Sequence, residues 1–295
     1  MTIETGLKEN IKLEDDSNTE VQDLFGSYAS ASAVIDESSR REGTIGNEGK
    51  AAEVADGPVE NSAVIECKPE SLEILKLMGT FDSGAGTITF PADLPKHNLL
   101  QAQFTDSHSF KFEDFKVGGF TLSCTLDESV FIEFSPILAE TGSIPKTTVD
   151  VDAVTGQALQ WTDSTVKING SQFGVTESVE SSLDRNISSE YGLGSGREPE
   201  EIVEGEFNIE ISLVVKVEDA SPYEELLDDS SFPLTVSESR GSVSEISIDF
   251  GDGNGELVVK KGKAEINEFE FDEEKDVRTV ELSFPAAQDV EVRNL

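Results

Sequence analysis

The sequence predicts a mainly β chain made of two tandem, diverged copies of one β-sandwich or open-barrel unit, each flanked by a short helix. Three observations carry this: long stretches alternate apolar and polar residues, short motifs recur at a near-constant offset, and 36% of residues are apolar, with 17 Phe against 3 Tyr and 1 Trp. That apolar share suits folded domains but is lean for a large compact enzyme. A chain of 295 residues also divides more naturally into two domains than into one.

The recurrence fixes the boundaries. At an offset of 148, Ile45-Gly46 falls on Leu193-Gly194, and Glu53-Val54-Ala55-Asp56-Gly57 falls on Glu201-Ile202-Val203-Glu204-Gly205. At an offset of 145, Leu126-Asp127-Glu128 falls on Phe271-Asp272-Glu273, and residues 69–75 resemble residues 221–227. Convergent strand chemistry could explain any one of these matches; their shared order and spacing favour duplication. The chain then divides into an arm (1–26), a first unit (27–141), a linker (142–161) and a second unit (162–295).

Taken in order, residues 69–78 read as a short helix with Pro in its first turn and Leu72, Leu75 and Leu77 on an apolar side. The linker, with Pro145 and Gly156, holds a strand at 147–151, and Trp161 anchors it against a domain face. Residues 171–187 alternate loosely around Val175, Val179, Leu183 and Ile187. One long strand carries Phe207, Ile209, Ile211, Leu213 and Val215 on one face. A second short helix is expected at 222–227, and further strands at 243–250, 256–260, 264–271 and 279–284. Between two of these, Gly251-Asp252-Gly253-Asn254-Gly255 is hairpin chemistry, because Gly and Asn tolerate positive φ. Helices this short persist only when packed against a sheet.

Charge is the loudest signal: 60 acidic residues against 22 basic ones give a net charge of -38. A compact monomer of this mass exposes roughly 12,000 Å², so net negative charges would lie about one per ~300 Å² of surface. In molar salt the Debye length shrinks to about 3 Å and the self-repulsion is screened. The acidic residues are spread through strand patterns, which points to a salt-adapted surface; an acidic calcium-binding or surface protein from an ordinary habitat is the alternative. Beyond Lys260, Lys261 and Lys263 no basic cluster exists, which excludes sequence-specific binding to nucleic acid.

Catalytic and metal chemistry lacks its parts, and neither an enzyme nor a cofactor is expected. His97 and His108 read as ordinary surface or interface residues without a companion cluster for zinc. Asp249, Asp252 and Asn254 resemble a fragment of a calcium loop but miss its register. Gly192, Gly194 and Gly196 lead into Arg197-Glu198-Pro199-Glu200 and then a strand, which contradicts a nucleotide-binding turn. Cys67 and Cys124 sit in strand patterns and read as two buried thiols, with a single bridge left open. Residues 1–10 lack the apolar core of a signal peptide, and no apolar run is long enough for a membrane span. Synthesis in a reducing cytoplasm is the resulting expectation.

Residues 182–208 (SLDRNISSEYGLGSGREPEEIVEGEFN) resemble the major tail tube proteins of long-tailed viruses. There, a polar-faced strand is followed by an aromatic, a Leu-Gly-Ser turn, a proline, an apolar pair and a Gly opening the next strand. The resemblance runs over 166–284 and reaches 27–139 through the internal repeat. It implies a β-sandwich with a flanking helix, six units per ring, and rings stacked through loops and terminal arms into a hollow tube for viral DNA. Tyr191, Leu193, Gly194, Ser195, Pro199, Ile202 and Gly205 would then contact a neighbouring subunit or ring. Ile45, Gly46, Val54 and Gly57 would be their first-unit counterparts, although that copy lacks the aromatic and the proline. Two units per chain imply a trimeric, pseudo-sixfold ring. The partners implied are other copies of the chain, other tail proteins, and DNA passing without sequence-specific contacts, in the virion tail of a virus of a salt-loving archaeon. A tail terminator or baseplate ring protein of the same fold, or a host extracellular β-domain protein, are the alternative readings.

Overall fold

The computed structural model describes residues 2–5, 11–15, 17, 19–26, 28–42, 53–105, 107–149, 157–172, 175–192, 197–217, 242–251, 253–263, 265–272, 277–284 and 289–295. The strands are, in order, β1 (Thr2–Thr5), β2 (Ile11–Glu14), β3 (Tyr28–Glu42), β4 (Glu53–Lys68), β5 (Thr80–Asp82), β6 (Thr87–Thr89), β7 (His97–Thr105), β8 (His108–Val117), β9 (Gly119–Thr125) and β10 (Phe131–Ser143). They continue as β11 (Thr165–Ile168), β12 (Ser171–Gln172), β13 (Val175–Asp184), β14 (Ser188–Glu190), β15 (Glu201–Val203), β16 (Asn208–Val217), β17 (Ser242–Asp249), β18 (Glu256–Lys263), β19 (Glu265–Asp272), β20 (Val277–Ser283) and β21 (Asp289–Arg293). The described helical pieces are 3₁₀ segments at Gln22–Phe25, Leu72–Leu77 and Trp161–Asp163. No helix among the described residues is long and apolar enough to cross a membrane.

Alternation decides which side of each strand is buried. In β16, Ile209, Ile211, Leu213 and Val215 are buried while Glu210 is exposed. The same period places Phe120, Leu122 and Cys124 of β9 inward, and in β3 the small residues Ala29, Ala31 and Ala33. Two large sheets result. Twelve strands follow the order β1-β3-β4-β10-β9-β13-β16-β20-β19, with β2-β7-β8 joined to β10, and seven follow β12-β11-β17-β18-β21-β6-β5.

Both sheets draw on both parts of the chain. Gly119–Thr125 pairs with residues 178–184 of β13, from Gly119 opposite Asp184 to Thr125 opposite Ser178, and the C-terminal strand β21 sits between β18 and β6. The buried side chains form one contiguous cluster from Ile11 to Val292. Residues before the first expected unit are stitched into this fabric: β1 pairs with β3, and β2, with Ile11 and Leu13 buried, pairs with β7.

Several expectations need correction. The helix at 69–78 is a 3₁₀ segment whose N-terminus is capped by Ser71 Oγ, accepting from the Glu73 N–H at 3.3 Å, so Pro69 lies before the first turn. It buries Leu72, Ile74, Leu75 and Leu77. The strand at 147–151 is absent over 147–149, where side chains replace a ladder: Gln101 Nε2 donates to Thr147 Oγ1 at 3.2 Å and the Val149 N–H to Gln103 Oε1 at 3.2 Å. His97 is no surface residue; it opens β7 at 2% exposure, with Nε2 2.8 Å from Leu77 O and its ring 5.1 Å from Phe115. The expected helix at 222–227 lies outside the described residues.

The hairpin at 251–255 takes the expected form, with φ of 85° at Gly251, 79° at Gly253 and 101° at Gly255. Cys67 and Cys124 are both buried and free. They stand on β4 and β9 with β10 between them, about 10 Å apart by strand spacing, beyond the roughly 7 Å that a disulfide spans.

Candidate functional site

The segment from Arg185 to Phe207 leaves β13, doubles back through the small β14–β15 ladder and re-enters the sheet at β16. Contacts with distant parts of the chain fix it. The Gly205 N–H donates to Arg185 O at 2.7 Å and the Arg185 N–H to Gly118 O at 2.8 Å. The Arg185 guanidinium donates to Ala92 O and lies 5.0 Å from the centre of the Phe207 ring, a cation–π contact. A Cβ on Gly205 would sit 2.9 Å from Asn186 O, so the close return of the chain requires glycine.

Lys116 of β8 is the second anchor. Its Nζ donates to Ile202 O at 3.1 Å and to Glu204 Oε1 at 2.6 Å, and the same carboxylate oxygen accepts the Leu94 N–H at 3.3 Å. Burial opposes ionisation of Glu204, but the Lys116 bond and charge outweigh it and hold the carboxyl below its ordinary value. A third contact reaches β4: Tyr191 OH donates to Val59 O at 3.0 Å, and the Val59 N–H to Arg197 O at 2.7 Å. Burial, aided by the Glu60 charge, raises the Tyr191 hydroxyl pKa.

The twelve-stranded sheet presents a very different surface on the side away from its core. One row of register partners crosses it from Ser30 through Glu66, Glu133, Thr121 and Ser182 to Glu210. The adjacent row includes Phe131, Ser123, Glu180 and Ser212. Ser30 Oγ donates to Glu66 Oε2 at 3.1 Å. These side chains are half-buried or exposed; Lys68 and Lys216 enter this face at one end of the strands, and Lys116, opposite Leu138 and paired with Glu204, toward the other. Such a surface binds water well and repels anions. Among the described residues no group of three or more His, Cys, Asp or Glu could hold a metal ion.

Residues 21–286 match the family of phage tail tube proteins. The chain belongs to that family. No curated protein matches it. As a tail tube protein it is a structural, non-enzymatic virion component.

In this tail tube protein the expected contact residues are only partly gathered. Tyr191, Pro199, Ile202 and Gly205 share the anchored segment, with Tyr191 39% exposed and Ile202 1%. Val54 and Gly57 lie on β4, Gly57 within a register shift between the pairs Glu37–Val59 and Ser39–Asp56. The Tyr191–Val59 bond thus brings the second-half segment against the first-half hairpin two residues from Gly57. Leu193, Gly194, Ser195, Ile45 and Gly46 lie outside the described residues. Sequence reasoning missed Lys116, Arg185 and Glu204, the residues that hold the segment. The scarcity of bases was the available signal, since among 22 Lys and Arg each one set in an apolar stretch, as Lys116 is in Phe115-Lys116-Val117, has a specific partner to find.

Proposed function

We propose that this chain is the repeating subunit of a tail tube, that three copies close a pseudo-sixfold ring, and that stacked rings enclose a lumen through which viral DNA leaves without sequence-specific contacts. The observation that carries this reading is the continuous twelve-stranded sheet, with buried apolar side chains on one side and, across the middle of the other, a row of Ser, Thr and Glu from Ser30 to Glu210. The row of hydroxyls and carboxylates suits a lumen wall, because it attracts water and repels phosphate.

A duplicated unit would favour the threefold count: the strand order β3-β4-β10-β9 can be laid on β13-β16-β20-β19, although β8 joins β10 in the large sheet whereas β18 pairs with β17 and β21 in the smaller one. The two runs meet edge to edge through β9 and β13, so one chain supplies two adjacent segments of the proposed wall. Among the described residues β1 and β19 end the main path of the sheet and β2 ends its branch, and closing a ring of three would cover the β1 and β19 edges. In this reading Pro199, Ile202 and Gly205 set the pose of the anchored segment, whereas Tyr191, Leu193, Gly194 and Ser195, with Ile45, Gly46, Val54 and Gly57 beside them, meet the neighbouring subunit or ring.

The net charge of -38 supports assembly in a salt-rich host. Other tail proteins would join the tube at its ends. Light scattering on assemblies formed in molar salt tests the count: rings should weigh three protomers of 31.9 kDa each. Six protomers would overturn the threefold ring, and a monomer at every salt concentration would overturn the tube.

A further inference from the structure

The single Trp of the chain borders a cavity that neither the anchored segment nor the polar row uses. About 160 Å³ in volume, it is lined by Trp161 and Ser164 of one turn, Thr165 and Val166 of β11, Gln172 of β12 and Val175 of β13. It lies where the β11–β12 edge of the smaller sheet meets the start of β13 in the larger one. Trp161 is fixed in place: its N–H donates to Glu128 O at 3.1 Å, and its carbonyl accepts the Ser164 N–H at 2.9 Å and Ser164 Oγ at 2.7 Å. Its side chain packs half-buried against the core. The mouth is open, with Gln172 exposed and Val175 53% exposed.

The chemistry of the lining is narrow. Among the described residues the Thr165 hydroxyl, the Gln172 amide and the Trp161 indole N–H have no hydrogen-bond partner, so donors and an acceptor stand beside aromatic and aliphatic surface. No charged side chain lines the cavity, in a chain of net charge -38. The base nearest in register, Lys167 opposite Gln172, is engaged by Asp249 at 2.9 Å. An anion therefore finds no free cation here, and burying its charge unpaired is costly. A wholly apolar group would strand the hydroxyl and the amide away from water. The space holds about five waters at ~30 Å³ each, which is too small for a drug-sized ligand. What fits is one small uncharged ring that carries C–H groups for the indole and hydroxyls for the amide.

We propose that this cavity binds one neutral pyranose ring, as a free sugar or at the end of a glycan. The C–H groups of the ring pack against Trp161 and Val175, and its hydroxyls exchange hydrogen bonds with Gln172, Thr165 and the indole N–H. The site lies within one chain, so it does not depend on the ring count. Repeated in every copy of an assembly, a weak site of this kind gains avidity for a surface that displays many sugars.

Because Trp161 is the only Trp, its fluorescence in the full chain, in molar salt, reports on this site alone. At least one of glucose, galactose, mannose and N-acetylglucosamine should shift the emission saturably, with half-saturation on the order of 1–10 mM. Glycerol at equal concentration, which lacks the ring, should give no saturable change. Gln172→Ala with Thr165→Val should weaken binding by about tenfold or more, and Val175→Phe, which fills the mouth, should abolish it, with thermal melts showing that each variant keeps its fold. Methyl glycosides and disaccharides of the responding sugar separate the two sources: an equal response identifies a glycan end, and its loss a free sugar. No saturable response of the unaltered chain to any of the four sugars overturns the inference, and so does a response that persists undiminished in both variants or is matched by glycerol.

Discussion

Phe134 lies fully buried in β10, and Phe110, Phe112 and Phe115 are buried beside it in the same cluster. Phe134→Ala should destabilise the fold by about 3–5 kcal/mol, because a lost ring leaves a cavity that strands on both sides prevent from collapsing; thermal melts in molar salt measure it, and a change under about 1 kcal/mol would contradict this packing. The thiols give a second residue-level outcome. Burial raises both, Cys124 to about 12 with the Ser164 bond opposing the rise. Neither should react with a thiol reagent in the folded protein at pH 8, and both should react on unfolding; rapid modification of the native chain would refute their burial. The Lys116–Glu204 anchor sets a pH dependence. Glu204 has a lowered pKa in the fold, so its contribution is fully present above the ordinary carboxylate value of about 4.3 and is lost as pH falls through the lowered one. Cleavage of the 186–206 segment by an acid-active protease should therefore accelerate below about pH 4, and Glu204→Gln should show faster cleavage already at neutral pH.

Among elements, the seam between β9 and β13 joins the first-half strands of the large sheet to the second-half strands. A Cβ on Gly119 would lie 2.7 Å from Leu183 O and 2.8 Å from Ser135 O, both backbone atoms that cannot move without parting strands. Gly119→Ala should cost about 1–3 kcal/mol in stability, whereas alanine at Gly170, whose Cβ site is empty but whose φ is 82°, should cost about 1 kcal/mol through backbone strain alone; equal melting temperatures for the Gly119 variant and the parent would show that the seam is looser than described. This seam was hidden from sequence reading. Strand identity was legible wherever one face was apolar and the other polar, as in residues 207–215 and 243–250, and the Gly251–Gly255 turn followed from glycine's freedom at positive φ. Partner choice was not legible, because Phe120, Leu122 and Cys124 would fill the inner face beside any strand of the right period. His97 was misplaced for a related reason: Pro95 and Lys96 suggested a loop, while its burial depends on Leu77 O and Phe115, both distant in sequence. Of the contact segment, the Tyr–Gly–Pro pattern was visible, but its anchors on Lys116, Ala92 and Val59 arise only once the chain is folded.

At the scale of the whole molecule, charge and assembly are coupled. With 60 acidic residues against 22 basic ones, lowering salt from molar to about 0.1 M lengthens the screening distance from about 3 to 10 Å and lets like charges on neighbouring copies repel. Tubes should shorten or dissociate over that range and re-form when salt is restored, as followed by sedimentation; tubes unaffected by salt would remove the salt-adapted reading. The central claim is that the face bearing Ser30, Glu66, Glu133, Thr121, Ser182 and Glu210 lines a lumen closed by three chains. Cryo-electron microscopy of tubes assembled in molar salt tests it most directly. The account predicts three chains per ring with these residues facing the central channel; six chains per ring, or the same row on the outside of the wall, would contradict it.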